Sequence, residues 1–533
     1  MLPAPLPDLD DLDPEALKAL LIAKHRESVQ QHKQLRSSSQ EIEHLKLVIE
    51  KYRRMIFGRK SEKLTRELEQ LELRLEELET AQAADQAAED VAEVQQPGSS
   101  QSYSKPTTSR PRRKPLPEDL PREVITHMPE HESCPCCGGE LHQFGEDVSE
   151  QLERIPATFK VIRHVRPKFA CSACDRVVEA AAPSRPIAYG LAGPNLLAHV
   201  LVSKFGDHQP LYRQSEIFAR EGIDLDRSTL AGWVGAASEL VAPLVDEISK
   251  HVLAASKVHA DDTPVPVLAP GNGKTKTGRL WAYVRDDRPS AQTTAPAVWF
   301  AYSEDRKGEH PRQHLKNFSG ALQADAYSGL RQLYEDGRIY EVSCWAHARR
   351  KFHDIHVTHR SPITTEALNR IGALYAIEEQ VRGKPPDLRR SVRQDQARPL
   401  LDDFRRWMEK VRQSLSRKSD TAGAIAYALS HWRPLTRYVD DGQLEIDNSA
   451  AERALRAVSI GRKNYLFFGA DSGGVRAASL YSLIGSAKLN GIDPAFYLRT
   501  VLARIAEHPI NRIGELLPWN LPVMLNSDSA EAT

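Results

Sequence analysis

The sequence has no run of about 18 or more apolar residues, so no segment is long enough to cross a membrane as a helix. The first residues carry neither the basic nor the apolar stretch of a secretion signal. The formal net charge of zero lacks the basic excess of most DNA-binding domains, although the charge is unevenly distributed along the chain. We therefore expect a cytoplasmic protein with no membrane partner.

Cysteine is scarce, with six residues in 533, but four of the six form two Cys-x-x-Cys pairs. These are Cys134, Cys137, Cys171 and Cys174. In a chain without an export signal, such pairs favour metal binding over disulfides. Four thiolates can hold one Zn²⁺ tetrahedrally, which predicts a structural zinc site; Cys136 or His142 could replace one ligand.

A length of 533 residues predicts about three or four domains, and a hydrophobic content of 41% is enough for real cores. Composition and periodicity divide the chain into six segments. They are a helical coiled-coil region at 1–93, a flexible Pro/Ser/Arg-rich linker at 94–120, a zinc-binding unit at 121–190, a helix-turn-helix-like helical domain at 191–250, a strand-and-helix domain at 251–480 with a helical insertion at 358–440, and a helical tail at 481–533.

The amino-terminal segment has apolar residues at alternating spacings of three and four, as in Ile42, Leu45, Ile49 and Tyr52. Such heptads are typical of coiled coils and predict a homodimer or higher oligomer. A basic block around Gly58 favours contact with DNA phosphates, with a solvated helix face as the alternative. Its candidate DNA-binding residues are Arg53, Arg54, Arg59 and Lys60.

Two helical runs, 211–220 and 228–234, are separated by Gly222 and read as helix, turn, helix, with Ser228 as the cap of the second. Such a unit could place its second helix in a DNA major groove. Packing within a helical core is the alternative.

Three acidic stretches far apart in the chain suggest a site. Asp261 and Asp325 follow apolar, strand-like runs, and Glu452 lies at the start of a helix-like run. Five such strand runs, with a helix-like stretch at 311–317 before the fourth, could bring the three carboxylates to one edge of a mixed sheet. They are 257–268, 279–284, 297–302, 320–324 and 339–344. A cage of carboxylate oxygens suits Mg²⁺ or Mn²⁺ better than zinc.

Each acid also has a structural explanation. Asp325 could start a turn, and Asp261 and Asp262 could be surface residues at the end of a strand. Ser449-x-x-Glu452 has the spacing of a capping box. Spacing alone therefore leaves the three-acid site open.

Several motifs, in the same order, make the chain resemble the large transposase of the insertion-sequence-66 (IS66) family. The matching stretches are 57–63, the four-cysteine unit, 259–265, 323–329, 344–352 (Cys-Trp-Ala-His-Ala-Arg-Arg-Lys-Phe), 447–456, 461–467 and 487–494. The family pattern usually has Glu where Asp262 stands, so Asp262 is a possible stand-in, but the role passes to Asp261.

The resemblance implies a ribonuclease-H-like catalytic domain at 251–480 with the triad Asp261, Asp325 and Glu452, holding two Mg²⁺ or Mn²⁺ ions. The implied activity is metal-dependent cleavage and strand transfer at the ends of a bacterial insertion sequence. The implied partners are double-stranded DNA, further copies of the chain and accessory proteins of the same element, with nucleoid association when DNA is bound. Further cations near the triad could contact DNA phosphates. They are Arg350, Arg453, Arg456, Arg462 and Lys463; His347, with Arg350, could orient the scissile phosphate, or be structural.

Two other classes are compatible with these features. One is a catalytically inactive or domesticated zinc-containing DNA-binding protein, and the other is a nuclease that hydrolyses DNA without joining it.

Overall fold

The computed structural model describes residues 42, 45, 116, 118, 120–129, 136–155, 158–188, 190–269, 271 and 273–521. They form two β-sheets and many helices, so the protein has a mixed α/β structure. Ile42 and Leu45 are helical and buried. The other heptad positions, and the basic block with Arg53, Arg54, Arg59 and Lys60, lie outside the described residues.

The first sheet is built on one long hairpin. Its strands are β1 (Arg122–Thr126), β2 (Leu141–Ile155), β3 (Thr158–Cys171) and β4 (Val177–Glu179). β2 and β3 pair antiparallel, β1 runs parallel to β3 on its other side, and β4 pairs with the end of β3. Phe159 and Val161 are buried while Thr158, Lys160 and Ile162 are less so, which is the period of two expected from the sequence.

Four helices follow, and they pack into the largest hydrophobic core. They are α1 (Pro194–Phe205), α2 (Leu211–Arg220), α3 (Arg227–Leu240) and α4 (Ala242–Leu253). Gly222 adopts a φ of +85° between α2 and α3, which ends α2 where the sequence predicted. The predicted cap at Ser228 is wrong, because α3 begins one residue earlier and its N-cap is Asp226.

The burial of α3 argues against its reading as a recognition helix. Eight of its residues are buried and Glu239 is its one exposed residue, so α3 has no basic face to offer to a groove.

Among the described residues, no single helix is long and apolar enough to cross a membrane. The pair α3 and α4, bent by 50°, meets that length and composition test together.

The second sheet holds the candidate site. Its strands are β5 (Lys257–Val267), β6 (Lys276–Arg285), β7 (Ala297–Ser303), β8 (Gly320–Ala324) and β9 (Ile339–Ser343), in the order β7-β6-β5-β8-β9. The pairs β5–β6 and β6–β7 are antiparallel, and β5–β8 and β8–β9 are parallel. The five predicted strands are confirmed. The predicted helix at 311–317 is α5 (Glu309–His314), which ends early because the chain turns to bury Leu315 and Phe318.

A run of helices separates β9 from the third acid. They are α6 (Trp345–Thr358), α7 (Pro362–Val381), α8 (Pro386–Val392), α9 (Arg398–Ser414), α10 (Asp420–Ser430) and α11 (Trp432–Thr436). A second hydrophobic cluster joins them to the face of β8 and β9 through Ala321 and Val342.

The last helices pack against the sheet. They are α12 (Ser449–Asn464), α13 (Asp471–Leu489) and α14 (Pro494–Arg504). Small residues let α13 lie close to β7: the hydroxyls of Ser482 and Ser486 accept hydrogen bonds from the β7 amides of Phe300 (2.8 Å) and Val298 (3.1 Å). This packing fixes the antiparallel side of the sheet against the carboxy-terminal helices.

Candidate active site

The register of β5 and β8 places two of the acids side by side. The parallel pairing ends at His259 opposite Gln323, and Asp261 and Asp325 each lie two residues further along. β5 continues to pair with β6 as far as Val267, so Asp261 lies within the strand and not at its end. The β5–β8 pairing thus stops before it reaches the level of the two acids.

Asn448 anchors the third acid to the same edge. Its side-chain amide donates to the carbonyl of Ala260 (2.8 Å), and its side-chain oxygen lies 3.1 Å from Nδ1 of His259. Burial lowers the pKa of His259 to about 3, so the ring is neutral and Nδ1–H is the donor. These bonds fix the start of α12, whose first turn carries Glu452, against β5.

The capping-box explanation for Glu452 is wrong. The N-cap of α12 is Asn448, and the amide of Ser449 donates to a carboxylate oxygen of Asp447 (3.0 Å). Oε1 of Glu452 is instead a buried oxygen with no hydrogen-bond partner. Because a buried acceptor without a partner costs about 1–3 kcal/mol, this oxygen calls for a ligand.

The three acids interact electrostatically. Burial, together with the negative charges of Asp325, Asp262 and Glu452, raises the pKa of Asp261 from 3.8 to about 7, against the amide of Asp262, which donates to Asp261 (2.8 Å). The strand register and the anchored start of α12 bring Asp261, Asp325 and Glu452 to the same edge of the sheet.

Asp262 has a different environment from Asp261. Its carboxylate accepts from Arg279 (2.9 Å) and Arg306 (2.8 Å) and is almost fully buried. Arg306 also lies 3.6 Å from Asp325, and its guanidinium stacks on the ring of Tyr327 at 3.9 Å. Asp262 is thus already neutralised by two cations. Sequence reasoning missed Arg279 and Arg306, because no motif marks them and only the strand register brings them to Asp262.

α6, the helix after β9, places His347 beside Glu452. Nδ1 of His347 lies 3.7 Å from Oε1 of Glu452 and is also buried without a hydrogen-bond partner. The Cys344 thiol lies beside them, and one ligand atom from each of Cys344, His347 and Glu452 lies within 4.8 Å of the other two. Burial raises the pKa of Cys344 to about 12, so the thiol is no nucleophile at neutral pH.

The predicted DNA-binding cations near the acids divide into two groups. Those with exposed side chains are Arg350 on α6 and Arg453, Arg456 and Lys463 on α12. Arg462 differs, since its guanidinium donates to the carbonyl of Pro264 and to Ser459, which ties the carboxy-terminal half of α12 to β5.

The cysteines of the first sheet assemble as a cluster. The Sγ atom of Cys137 lies 3.5 Å from that of Cys171 and 3.4 Å from that of Cys174. Tetrahedral zinc with Zn–S bonds of about 2.3 Å needs sulfurs about 3.8 Å apart, so the set fits zinc. The amide of Ala173 lowers the pKa of Cys171, which favours the thiolate that zinc requires. Of the described residues, Cys136 and His142 are not in this cluster; Cys134 lies outside them.

The fold and these two sites define a protein with a cysteine-based zinc-binding unit and an acidic cluster at the edge of a mixed sheet. The chain belongs to the IS66 transposase family. The model of that family, transposase IS66 family, matches residues 189–476. Companion models match 131–175 (zinc-finger binding domain of transposase IS66), 44–125 (transposase C of IS166 homeodomain) and 482–519 (IS66 C-terminal element).

Full-length relatives support the same assignment. The chain is 44% identical over 492 residues to the uncharacterized protein y4hP of Sinorhizobium fredii, covering 89% of this chain and 88% of that protein. It is 36% identical over 540 residues to the uncharacterized protein y4qI of the same organism, covering 97% and 98%. The similarity thus extends over nearly the whole chain.

Proposed function

We propose that the protein is the DNA transposase of a bacterial insertion sequence, which binds the element ends and cleaves and joins DNA through Asp261, Asp325 and Glu452. The observation that carries this proposal is the convergence of three acids, from β5, the end of β8 and the first turn of α12, at one edge of the sheet, where the charges of the other two help to raise the pKa of Asp261. Three antiparallel strands followed by two parallel ones have the order of a ribonuclease-H-like domain, and we assign residues 251–480 to that class.

The acidic cluster fits divalent cations. The charges of Asp325 and Glu452 help to raise the pKa of Asp261, and one buried oxygen of Glu452 lacks a hydrogen-bond partner, so the site is short of positive charge. Asp261, Asp325 and Glu452 would hold two Mg²⁺ or Mn²⁺ ions, whose charge would lower the pKa of an attacking hydroxyl and stabilise the leaving oxygen. Oxygen ligands of this kind suit hard cations.

The protein's own groups would bind and orient the DNA. Water first displaces the 3′ oxygen of the element end from phosphorus, and that freed hydroxyl then displaces an oxygen of a target phosphodiester. No covalent protein–DNA bond is needed, so we assign no nucleophilic Ser or Tyr. Arg306, half-exposed between Asp262 and Asp325, is placed to pair with a phosphate once cations neutralise Asp325.

The exposed cations on α6 and α12 supply a surface for the DNA backbone. Arg453 and Arg456 are one turn apart on α12, directly after Glu452, and Lys463 lies further along the same helix. Phosphate contacts there would hold a duplex across the acids. By membership of the family, the further partners would be a second copy of the chain, brought by the amino-terminal heptads, and accessory proteins of the element.

Removal of one acid tests the proposal. Purified protein is incubated with Mg²⁺ and a labelled DNA carrying an element end. We expect the wild type to give cut and joined products, and Asp325→Ala to abolish both while leaving gel retardation intact. The control is Asp354→Ala, which removes an exposed aspartate from α6 and should change neither. Loss of cleavage and retardation together would count against a metal role for Asp325 and indicate misfolding.

The same assay separates the alternatives. Cut products without joined ones would indicate a nuclease, and retardation alone would indicate the inactive, zinc-containing DNA-binding protein. The buried Glu452 oxygen without a partner favours chemistry over binding alone, because a protein that only binds DNA has no use for that cost.

A further inference from the structure

One trio of side chains at the edge of the acidic cluster joins Glu452 to two groups that the proposed chemistry does not use. Cys344 follows β9, His347 lies in the first turn of α6 and Glu452 lies in the first turn of α12. Sulfur, nitrogen and oxygen ligand atoms of the three lie within 4.8 Å of one another. We infer that Cys344, His347 and Glu452 form a binding site for a thiophilic divalent cation such as Zn²⁺ or Cd²⁺.

The geometry fits such an ion with little rearrangement. With Zn–N bonds of about 2.0–2.1 Å and Zn–S bonds of about 2.3 Å, ligand atoms in a tetrahedral site lie about 3.3–3.7 Å apart. Nδ1 of His347 and Oε1 of Glu452 are already 3.7 Å apart. Three side chains would leave one position of a tetrahedral site for a water or another small ligand.

Two buried ligand atoms of the trio have no hydrogen-bond partner. Nδ1 of His347 and Oε1 of Glu452 each lack a hydrogen-bond partner. A direct hydrogen bond between them would satisfy both, but their separation of 3.7 Å is too long for one. A shared cation satisfies both atoms at this separation.

The backbone around the trio is held in place. The amide of Asn448 donates to the Cys344 sulfur (3.2 Å), and the amide of Trp345 donates to the carbonyl of Ile446 (3.1 Å). Hydrogen bonds to ligand atoms and their neighbours orient a metal site before the metal arrives.

The ligand set also selects the cation. Thiolate and imidazole favour zinc-like ions, whereas Mg²⁺ prefers oxygen ligands and gains little from sulfur. Binding must displace the thiol proton, which only a thiophilic cation repays. Since the site shares Glu452 with the acidic cluster, its occupant would withhold that carboxylate and inhibit Mg²⁺-dependent cleavage; this consequence rests on the proposed function.

Cobalt binding tests the site without any activity measurement. Co²⁺ is added to full-length protein whose cysteine cluster already holds zinc, and sulfur-to-cobalt charge-transfer absorption is recorded. We expect wild type to gain this absorption, Cys344→Ser to lose it, and Cys136→Ser, which removes an exposed thiol elsewhere, to keep it. Equal absorption in wild type and Cys344→Ser would overturn the proposal. His347→Ala, at a partly exposed position, should weaken Co²⁺ binding by about tenfold or more and serves if Cys344→Ser fails to fold.

Inhibition tests the shared carboxylate. Zinc should inhibit Mg²⁺-dependent cleavage by the wild type, and Cys344→Ser should need about tenfold more zinc or higher for the same effect. Equal zinc sensitivity would refute the sharing of Glu452. A failure of the proposed function gives a different result. If Glu452 is not catalytic, Glu452→Gln would still cleave DNA, while the cobalt absorption would still depend on Cys344.

Discussion

Replacing Asp261 with Asn should stabilise the metal-free protein, although it removes a proposed catalytic residue. The folded state raises the pKa of Asp261 from 3.8 to about 7 because the carboxylate is buried beside other acids. Between these two values the folded protein binds more protons than the unfolded chain, so the free energy of unfolding falls as the pH rises. Asn has the same shape and no charge, and it escapes this cost.

The magnitude follows from the pKa shift. A pKa shift of about 3 units at 1.36 kcal/mol per unit means that the charged Asp261 lowers the free energy of unfolding by about 4 kcal/mol above pH 7. At pH 5 the loss is about 1.6 kcal/mol, because only the interval between the unfolded pKa of 3.8 and the pH contributes. Relaxation of the protein and entry of water reduce these upper limits, so we expect Asp261→Asn to raise the free energy of unfolding by about 1–3 kcal/mol at pH 8. For a unit of this size, that is a rise in Tm of at least about 2–4 °C.

Thermal unfolding of both proteins from pH 4 to 8, without added divalent cations, measures the effect. The advantage of Asp261→Asn should grow up to about pH 7 and then level off. Added Mg²⁺ should stabilise the wild type more than the variant, and more at pH 8 than at pH 6, since protons and cations compete for the same carboxylate. A wild type more stable than Asp261→Asn at pH 8 without metal would refute the reasoning.

The neighbouring residue provides a matched control with the opposite sign. Asp262→Asn removes the carboxylate between Arg279 and Arg306 and should destabilise the protein by about 2–3 kcal/mol, below the cost of a fully buried pair because both cations are partly exposed. Its effect should not depend on Mg²⁺.

Two further predictions concern the supports of the sites. Asn448→Ala leaves the His259 donor and the Ala260 carbonyl without these partners, so it should lower the free energy of unfolding by about 2–3 kcal/mol and raise the Mg²⁺ requirement. The control Asn464→Ala, at the end of the same helix, should change the free energy of unfolding by less than about 0.5 kcal/mol. Equal Tm values for the two variants would contradict this prediction. Elemental analysis should find about one tightly held zinc per chain, lost in Cys171→Ser; a metal-free, fully folded wild type would contradict a structural role for zinc.

The strands could be predicted from the sequence because burial leaves a direct trace in it. Short apolar runs bounded by turn residues favour strands that are largely buried, and each of the five predicted runs is a strand. Adjacent parallel strands then carry Asp261 and Asp325 to one edge. This part of the site depends on local pattern plus one rule of sheet geometry.

The capping predictions failed because such motifs are permissive. Ser228 and Ser449 both have suitable spacing, but in each case a residue just before it, Asp226 or Asn448, becomes the N-cap and moves the helix start. The ion pairs of Asp262 were not predictable either. They depend on the register that places Arg279 of β6 diagonally opposite Asp262 of β5, and on the turn after β7 that carries Arg306.

The same strand geometry argues for Asp261, and not Asp262, as the metal ligand. Successive side chains of a strand point to opposite faces, so the two adjacent acids on β5 have different nearest neighbours. Asp262 faces two guanidinium groups, and a cation there would have to displace one of them. Asp261 faces Asp325 and Glu452, where added positive charge relieves repulsion. A Glu at position 262 would keep the same partition, because a longer side chain on that face still meets the arginines.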